Sequence, residues 1–517
     1  MNEGECVHRS SFIVHRLPAG TRSYNNPHMP IAERACLALL LVYLFWLPLP
    51  FGSVIDEARL PLVLTPLLLC FAAALLAARD PATSHSMAYR TWSIGGALLV
   101  GIAALQLIPL PPPLLAAISP ESLHIWQLGA RVASLAGVPA PHAFPISIDP
   151  AQTRDELFRL LALLATFQAA AFLVRDHVSR VALSCALCAA AIFETLYGVR
   201  EAALRRYAIW GWVNRLIYDR VTGTFVNPNH FGHYVALILP LALFLAALAW
   251  HQSGPDSTPF RRRLVVLLEH RFLVFAAGAL AALGCIAAVL VSQSRGALLA
   301  AMGGFAIVGT RVLGAQNTRG RTLARVIAAA AGAMLLLGAV ILWLGSERTV
   351  LRRLMPSEGE TTTLVGRRIG ITAALGVWQD FPILGSGAGT FERVVSMHQS
   401  EDLGKMYHHA HDDYVEMGAT LGTAGFMVAV VALIGGYVGL MRGTFGRRGA
   451  ALPWRRRAFQ IAALTSLTIA MVHALFDFNF FIPANAATLA AIVGAAVAPR
   501  KVTRSARAAA DDSWSSR

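Results

Sequence analysis

Long apolar runs recur along almost the whole chain, each bounded by short polar, proline- or glycine-containing stretches. About 20 apolar residues in α-helix cross a bilayer core, and runs of that length predict about twelve transmembrane helices. They lie near residues 34–51, 60–78, 94–112, 156–174, 181–199, 231–250, 271–291, 296–313, 324–344, 414–441, 458–476 and 482–498. Glycine and alanine recur within these runs, as close helix–helix approach in lipid requires. The predicted class is an all-α polytopic integral membrane protein. Residues 1–33 and 499–517 are polar tails, and 345–413 forms one large loop between spans. No cleavable signal peptide is expected, because the first apolar run follows some thirty polar residues and no small-residue cleavage site comes after it.

Composition agrees with that class. Charged residues make up 14% of the 517 and hydrophobic residues 56%, against about 25% charged in soluble domains. The net charge of +15 raises the question of nucleic acid, but its placement argues for a membrane instead. With the N-terminus inside and the spans alternating, the clusters Arg261–Arg263, Arg311–Arg325 and Arg442–Arg457 fall in short inside loops. That is the positive-inside pattern, so both termini are expected in the cytoplasm and the basic clusters against anionic lipid. No nucleic acid partner is expected. Six cysteines form no framework: Cys185 and Cys188 have CxxC spacing but lie in an apolar helix without His or Asp partners, which favours packing.

Two outside segments keep arginine against the topological bias. One, 200–228, carries Arg200, Arg205, Arg206, Arg215 and Arg220; the other is the loop 345–413, with Arg348, Arg352, Arg353, Arg367, Arg368 and Arg393. Guanidinium grips phosphate through paired hydrogen bonds, so anion binding is the natural reason, with lipid headgroup contact as the plain alternative.

Three motifs converge on this outside face. In Arg220-Val-Thr-Gly-Thr-Phe-Val-Asn-Pro-Asn-His-Phe-Gly232, the residues Gly223, Asn227, Pro228 and Asn229 are turn and helix-entry residues that would hold Arg220 at the membrane surface. In Ser292-Gln-Ser-Arg295, an arginine sits between two apolar runs with hardly any loop; pairing, a polar cavity or snorkelling must accommodate it. The third motif is the loop 345–413. It contains a partly apolar helix at Ile369–Trp378 and a glycine-rich turn, Gly385 to Gly389, expected either to bring backbone close to substrate or to serve loop geometry alone. It ends in His408-His-Ala-His411-Asp-Asp413 before the span 414–441. Asp412 or Asp413 would cap that helix, leaving His411 at its positive end, where a neutral imidazole can accept a proton. The ligand types would also suit a metal, but neighbouring residues in a chain rarely all face one ion; neither metal nor cofactor is expected.

At these residues the chain resembles the O-antigen ligase and O-antigen polymerase superfamily of bacterial envelope glycosyltransferases. The ligase signature is His, then Asn, Ser or Gln, nine residues, and Gly-x-x-Gly. Here His411-Asp412, nine residues (Asp413 to Leu421) and Gly422-Thr-Ala-Gly425 reproduce the spacing, with Asp412 departing from the usual amide. Arg295 and Arg220 fall where the family keeps two essential arginines. The similarity runs over about residues 150–480. It divides the chain into an N-terminal bundle, 34–199, and a ligase-like catalytic membrane region, 200–498, including the loop 345–413.

The resemblance implies a GT-C-like, metal-independent, inverting glycosyltransferase of the bacterial inner membrane, its site and large loop facing the periplasm. The donor would be a glycan on undecaprenyl pyrophosphate, and the acceptor lipid A–core or a second lipid-linked glycan. His411 would deprotonate the acceptor hydroxyl while Arg220 and Arg295 neutralise the departing pyrophosphate. Arg367, Arg368, His409, Asn227 and Asn229 would complete substrate binding. An alternative is an anion transporter of the bicarbonate type, for which charged groups near mid-membrane and repeated halves are expected.

Overall fold

The computed structural model describes residues 29–78, 83–139, 141–213, 220–254, 258–314, 358–399 and 407–501. Its principal helices are α1 (Ile31–Trp46), α2 (Asp56–Ala78), α3 (Met87–Leu105), α4 (Pro150–Leu173), α5 (His177–Ala203) and α6 (Pro228–Gln252). They continue with α7 (Phe272–Val291), α8 (Arg295–Gly314), α9 (Glu358–Asp380), α10 (Asp413–Phe445), α11 (Trp454–His473) and α12 (Pro483–Val497). Strands among the described residues are two-residue pairs only, Thr83–Ser84 with Arg500–Lys501 and Ala208–Ile209 with Trp212–Val213. This is the architecture of an all-α polytopic membrane protein.

Eight of these helices, α2 to α8 and α10, are long and apolar enough to cross a membrane. Three further expected spans are present as helices that fall short of that standard. The run at 34–51 yields α1, only 16 residues long, because Pro48 and Pro50 close it off. The run at 482–498 yields the 15-residue α12. The run at 458–476 yields α11, made polar by Arg455 to Arg457 and by Gln460, Thr465, Ser466 and Thr468. The last of the twelve, 324–344, lies outside the described residues. The expected span 94–112 is shifted to α3, which ends at Leu105 so that the buried Gln106 can act as a clamp.

A helix apolar on every side belongs in the middle of a bundle, and α6 is buried along nearly its whole length. It packs against α5, α7 and α11. Pro240 lies within it, and the polar groups of α11 are satisfied nearby: Ser466 Oγ donates to the Leu237 carbonyl at 2.7 Å, and Gln460 Nε2 to the Ala496 carbonyl of α12 at 3.0 Å. Hydrogen bonds of this kind hold helices together where lipid offers no partner.

Helix α10 is broken at Gly422, whose φ of 68° and ψ of −177° leave the helical region. A left-handed φ of this kind favours glycine. The break frees backbone groups that the glycine-rich turn then takes up. Ser386 N and Gly387 N donate to the carbonyls of Ala419 and Thr420, each at 3.1 Å, while Thr423 N donates to the Pro382 carbonyl at 2.8 Å. A Cβ at Gly385 would stand 2.3 Å from the Thr420 carbonyl. Gln106 completes the clamp, its amide donating to the Thr420 carbonyl at 2.9 Å and accepting from Ala388 N at 2.8 Å. The turn 385–389 therefore spends its backbone on loop geometry, the second of the two uses expected for it. The two glycine motifs, distant in sequence, form one joint that fixes where α10 and the histidines before it begin.

Candidate functional site

Arg220 opens a loop whose shape is set from below. Gly223 adopts φ of 58°, and Glu194 of α5 accepts from Thr224 N at 2.7 Å while lying 2.8 Å from Thr224 Oγ1. Asn227 then caps α6, accepting from Asn229 N at 2.8 Å, with Pro228 in the first helical turn. Held at both ends, Arg220 donates through Nε to the Ser292 carbonyl at 2.9 Å and through Nη2 to Asn229 Oδ1 at 3.0 Å. The first bond ties it to the Ser292-Gln-Ser-Arg295 hairpin.

Asn229 passes the contact on. Its Nδ2 donates to Asp477 Oδ2 at 2.9 Å, and the other oxygen, Oδ1, accepts from Phe478 N at 3.0 Å. His411 Nδ1 stands 3.3 Å from the same Oδ1, and His230 Nε2 is 3.8 Å away, beyond hydrogen-bond reach. Asp477 is buried, which alone would raise its pKa; the imidazoles of His230 and His411 outweigh that and hold the carboxyl well below its usual range. A continuous chain therefore runs Arg220–Asn229–Asp477–His411, joining groups 191 positions apart (220 to 411).

His411 itself has φ of 58°, a left-handed value uncommon outside glycine. It turns the chain just before Asp412, which caps α10 by accepting from Tyr414 N at 2.9 Å and Val415 N at 3.1 Å. Asp413 is wholly buried and accepts from Phe480 N at 3.1 Å, while its own N donates to the Ala474 carbonyl at 3.0 Å. The segment 474–481 is thus pinned against the histidine turn.

The neighbouring histidines diverge. His409 Nδ1 lies 2.8 Å from Glu416 Oε1, and the second oxygen of Glu416 accepts from Ala410 N at 2.8 Å. Burial disfavours a charged His409, but the Glu416 carboxylate prevails and its pKa lies above the ordinary value. The ring stacks on Phe478 with centroids 4.1 Å apart, and His411 meets the same ring edge-on at 5.1 Å. His408 Nδ1 pairs with Glu392 at 3.0 Å. Each histidine has its own carboxylate.

The other expected site residues are arranged around this chain. Arg295 starts α8, half-buried, three residues after the carbonyl that Arg220 holds. The adjacent Gly296 packs so closely on His473 that a Cβ there would lie 2.5 Å from Nε2. His473 in turn faces His233, with Nδ1 atoms 2.8 Å apart, and lies within electrostatic reach of Arg367. Arg367 has a buried Nε with no hydrogen-bond partner among the described residues. Arg368 is exposed. Arg220, Asn229 and His411 are thus bonded into one unit. Asn227 caps the helix that carries Asn229, and His409 shares the Phe478 ring with His411. Arg295 follows the Ser292 hairpin, Arg367 lies within electrostatic reach of His473, and Arg368 is exposed.

Four participants are not among the residues expected from the motifs: Asp477, His230, Glu194 and His473. A signal existed for two of them. Glu194 interrupts an apolar run, and Asp477 stands in Leu475-Phe-Asp-Phe-Asn-Phe-Phe481; a carboxylate retained in such surroundings is costly without a purpose.

Residues 280–430 match the family model described as O-Antigen ligase. The match covers less than half of the chain but contains Arg295, Arg367, His409 and His411, and it bears out the resemblance to the O-antigen ligase and polymerase superfamily. No curated protein matches the chain.

Proposed function

We propose that this protein is a GT-C-like glycosyltransferase that moves a glycan from undecaprenyl pyrophosphate to an acceptor hydroxyl. The family match supports a function of the O-antigen ligase or polymerase type and gives the anion-carrier alternative no support. The observation that carries the finer reading is the hydrogen-bonded chain from the Arg220 guanidinium to the His411 imidazole. Glycan transfer from a pyrophosphate needs a base for the acceptor and a cation for the leaving group, and this chain holds one of each at fixed separation.

In this reading Asp477 accepts from His411 Nδ1–H, which leaves the Nε2 lone pair free to take the acceptor proton. The acceptor oxygen bonds to the anomeric carbon as the bond from that carbon to the pyrophosphate oxygen breaks. The electron pair departs on the pyrophosphate, where Arg220 and Arg295 stabilise it. Attack opposite the leaving group inverts the anomeric centre, and the two guanidiniums do the work a metal ion does in other transferases. Arg367 supplies a further cation from α9, with Arg368, Asn227, Asn229 and His409 completing the substrate surface. The positive-inside pattern supports a periplasmic site in the bacterial inner membrane, with both termini in the cytoplasm. The acceptor is lipid A–core or a second lipid-linked glycan. Envelope polysaccharide from a deletion strain carrying His411→Ala or Arg220→Ala tests this directly. Loss of the glycan ladder with the protein still in the membrane is expected, and a normal ladder from both would overturn the reading.

A further inference from the structure

Beside the arginine-bearing arm lies a groove of about 750 Å³, formed by α2, α4, the segment around Gly389–Glu392 and the histidine turn. Five carboxylates line it, Asp56, Asp155, Glu156, Glu392 and Glu416, against two guanidiniums. Both guanidiniums are already engaged. Arg59 binds Asp56 at 2.9 Å and Asp155 at 2.5 Å. Arg159 binds Glu156 through Nε at 2.7 Å and the Phe480 carbonyl at 2.7 Å. With more carboxylates than guanidiniums, and His408 and His409 paired to Glu392 and Glu416, the lining offers no free guanidinium pair for a pyrophosphate and disfavours a dianion. Sugar hydroxyls fit such a lining, because they donate to carboxylates and accept from guanidinium.

The groove is also amphipathic. Leu60 and Leu64 of α2 and Phe158 of α4 line it and are 67%, 46% and 44% exposed, as an acyl chain lying along lipid-facing helices would need. His409 lines it too, stacked on the Phe478 ring whose edge His411 touches. One aromatic ring therefore separates the groove from the proposed base.

We propose that this groove is the acceptor site, holding the uncharged saccharide of a lipid-anchored acceptor with its lipid along α2 and α4. The inference rests on the transferase reading and adds to it a division of labour. The donor pyrophosphate occupies the arginine arm, and the acceptor sugar the carboxylate groove on the other side of Phe478.

The test uses the full chain in lipid nanodiscs, with Asp155→Asn combined with Glu392→Gln. Undecaprenyl pyrophosphate is the binding probe, and membranes of a deletion strain, titrated against a fixed donor, supply the acceptor. Losing two hydrogen bonds to charged groups should raise the KM for acceptor by about tenfold or more. Undecaprenyl pyrophosphate should bind within about twofold of wild type, which also shows the variant to be folded. An unchanged acceptor KM would overturn the inference, as would parallel loss of pyrophosphate binding, which would make the groove part of the donor site. A wild-type protein that neither binds undecaprenyl pyrophosphate nor transfers glycan would overturn the transferase reading and this inference with it.

Discussion

His409 and His411 stand two residues apart, touch the same phenylalanine and each face a buried carboxylate, yet the structure puts them in different company. The carboxylate beside His409 closes on its own segment: Glu416 binds the ring and the Ala410 amide. The carboxylate beside His411 opens outward, through Asn229 to Arg220 and the hairpin before Arg295. A histidine–carboxylate pair is therefore uninformative by itself. What differs between the two pairs is the group bonded to the far oxygen of the carboxylate, the Ala410 amide for Glu416 and Asn229 for Asp477. Around His409 the surroundings are acidic and suit hydroxyls; around His411 they lead to guanidinium and suit an anion.

The sharpest way to break this contrast is to delete each ring. His411→Ala should lower transfer by about 10²–10⁴, the usual contribution of a general base. His409→Ala should fall well short of that, and equal losses measured in membranes would erase the distinction. Next in size, Arg220→Ala should cost about 10²–10³ in rate, as removal of a donor from a developing anion does. Arg220→Lys should recover little, because a point charge cannot hold both Ser292 and Asn229.

The contrast was only partly legible in the sequence. His411, Arg220, Asn229 and Asp412 are singled out by local signals: a histidine before a helix cap, an arginine before a proline-started helix, a glycine pair at fixed spacing. Asp477 carries only the general signal of a carboxylate among aromatic residues, because its role lies in partners 66 and 248 positions away, and only folding brings the segment 474–481 against the histidine turn. The fold shows the same limit. Helix α6 was legible because it is apolar on every side. Helix α11 was expected as a plain span, but its Ser466 and Gln460 are bonded to neighbouring helices, a tertiary pairing that hydropathy cannot register. The apolar run at 414–441 predicts a continuous α10, since glycine is common in membrane helices and only the docking of residues 382–388 makes Gly422 a joint.

Smaller effects sharpen the account. Asp477→Asn should lower transfer by about 10–100-fold through loss of one charge-assisted hydrogen bond. A double-mutant cycle of Asn229→Leu with Asp477→Asn should show coupling of about 1–3 kcal/mol, and additivity would mean the chain is not one unit. Smallest is a difference in pH response. The raised pKa of His409 makes its pairing with Glu416 stabilising below 6.5, and that contribution is lost as pH rises through the higher folded value. The depressed pKa of Asp477 makes its contribution present above 3.8 and lost only as pH falls through the lower folded value. Melting of the detergent-solubilised protein should therefore soften as pH rises above 6.5 by an increment that Glu416→Gln removes and Asp477→Asn leaves in place. An identical pH response in both variants would contradict that assignment.

The most direct test of the central claim, that one hydrogen-bonded chain joins a base to an anion site, measures donor binding and transfer on the same two variants. In nanodiscs His411→Ala should bind undecaprenyl pyrophosphate within about twofold of wild type and fail to transfer. Arg220→Ala should lose the binding itself. Transfer at the wild-type rate by His411→Ala, or wild-type pyrophosphate affinity in Arg220→Ala, would contradict the account.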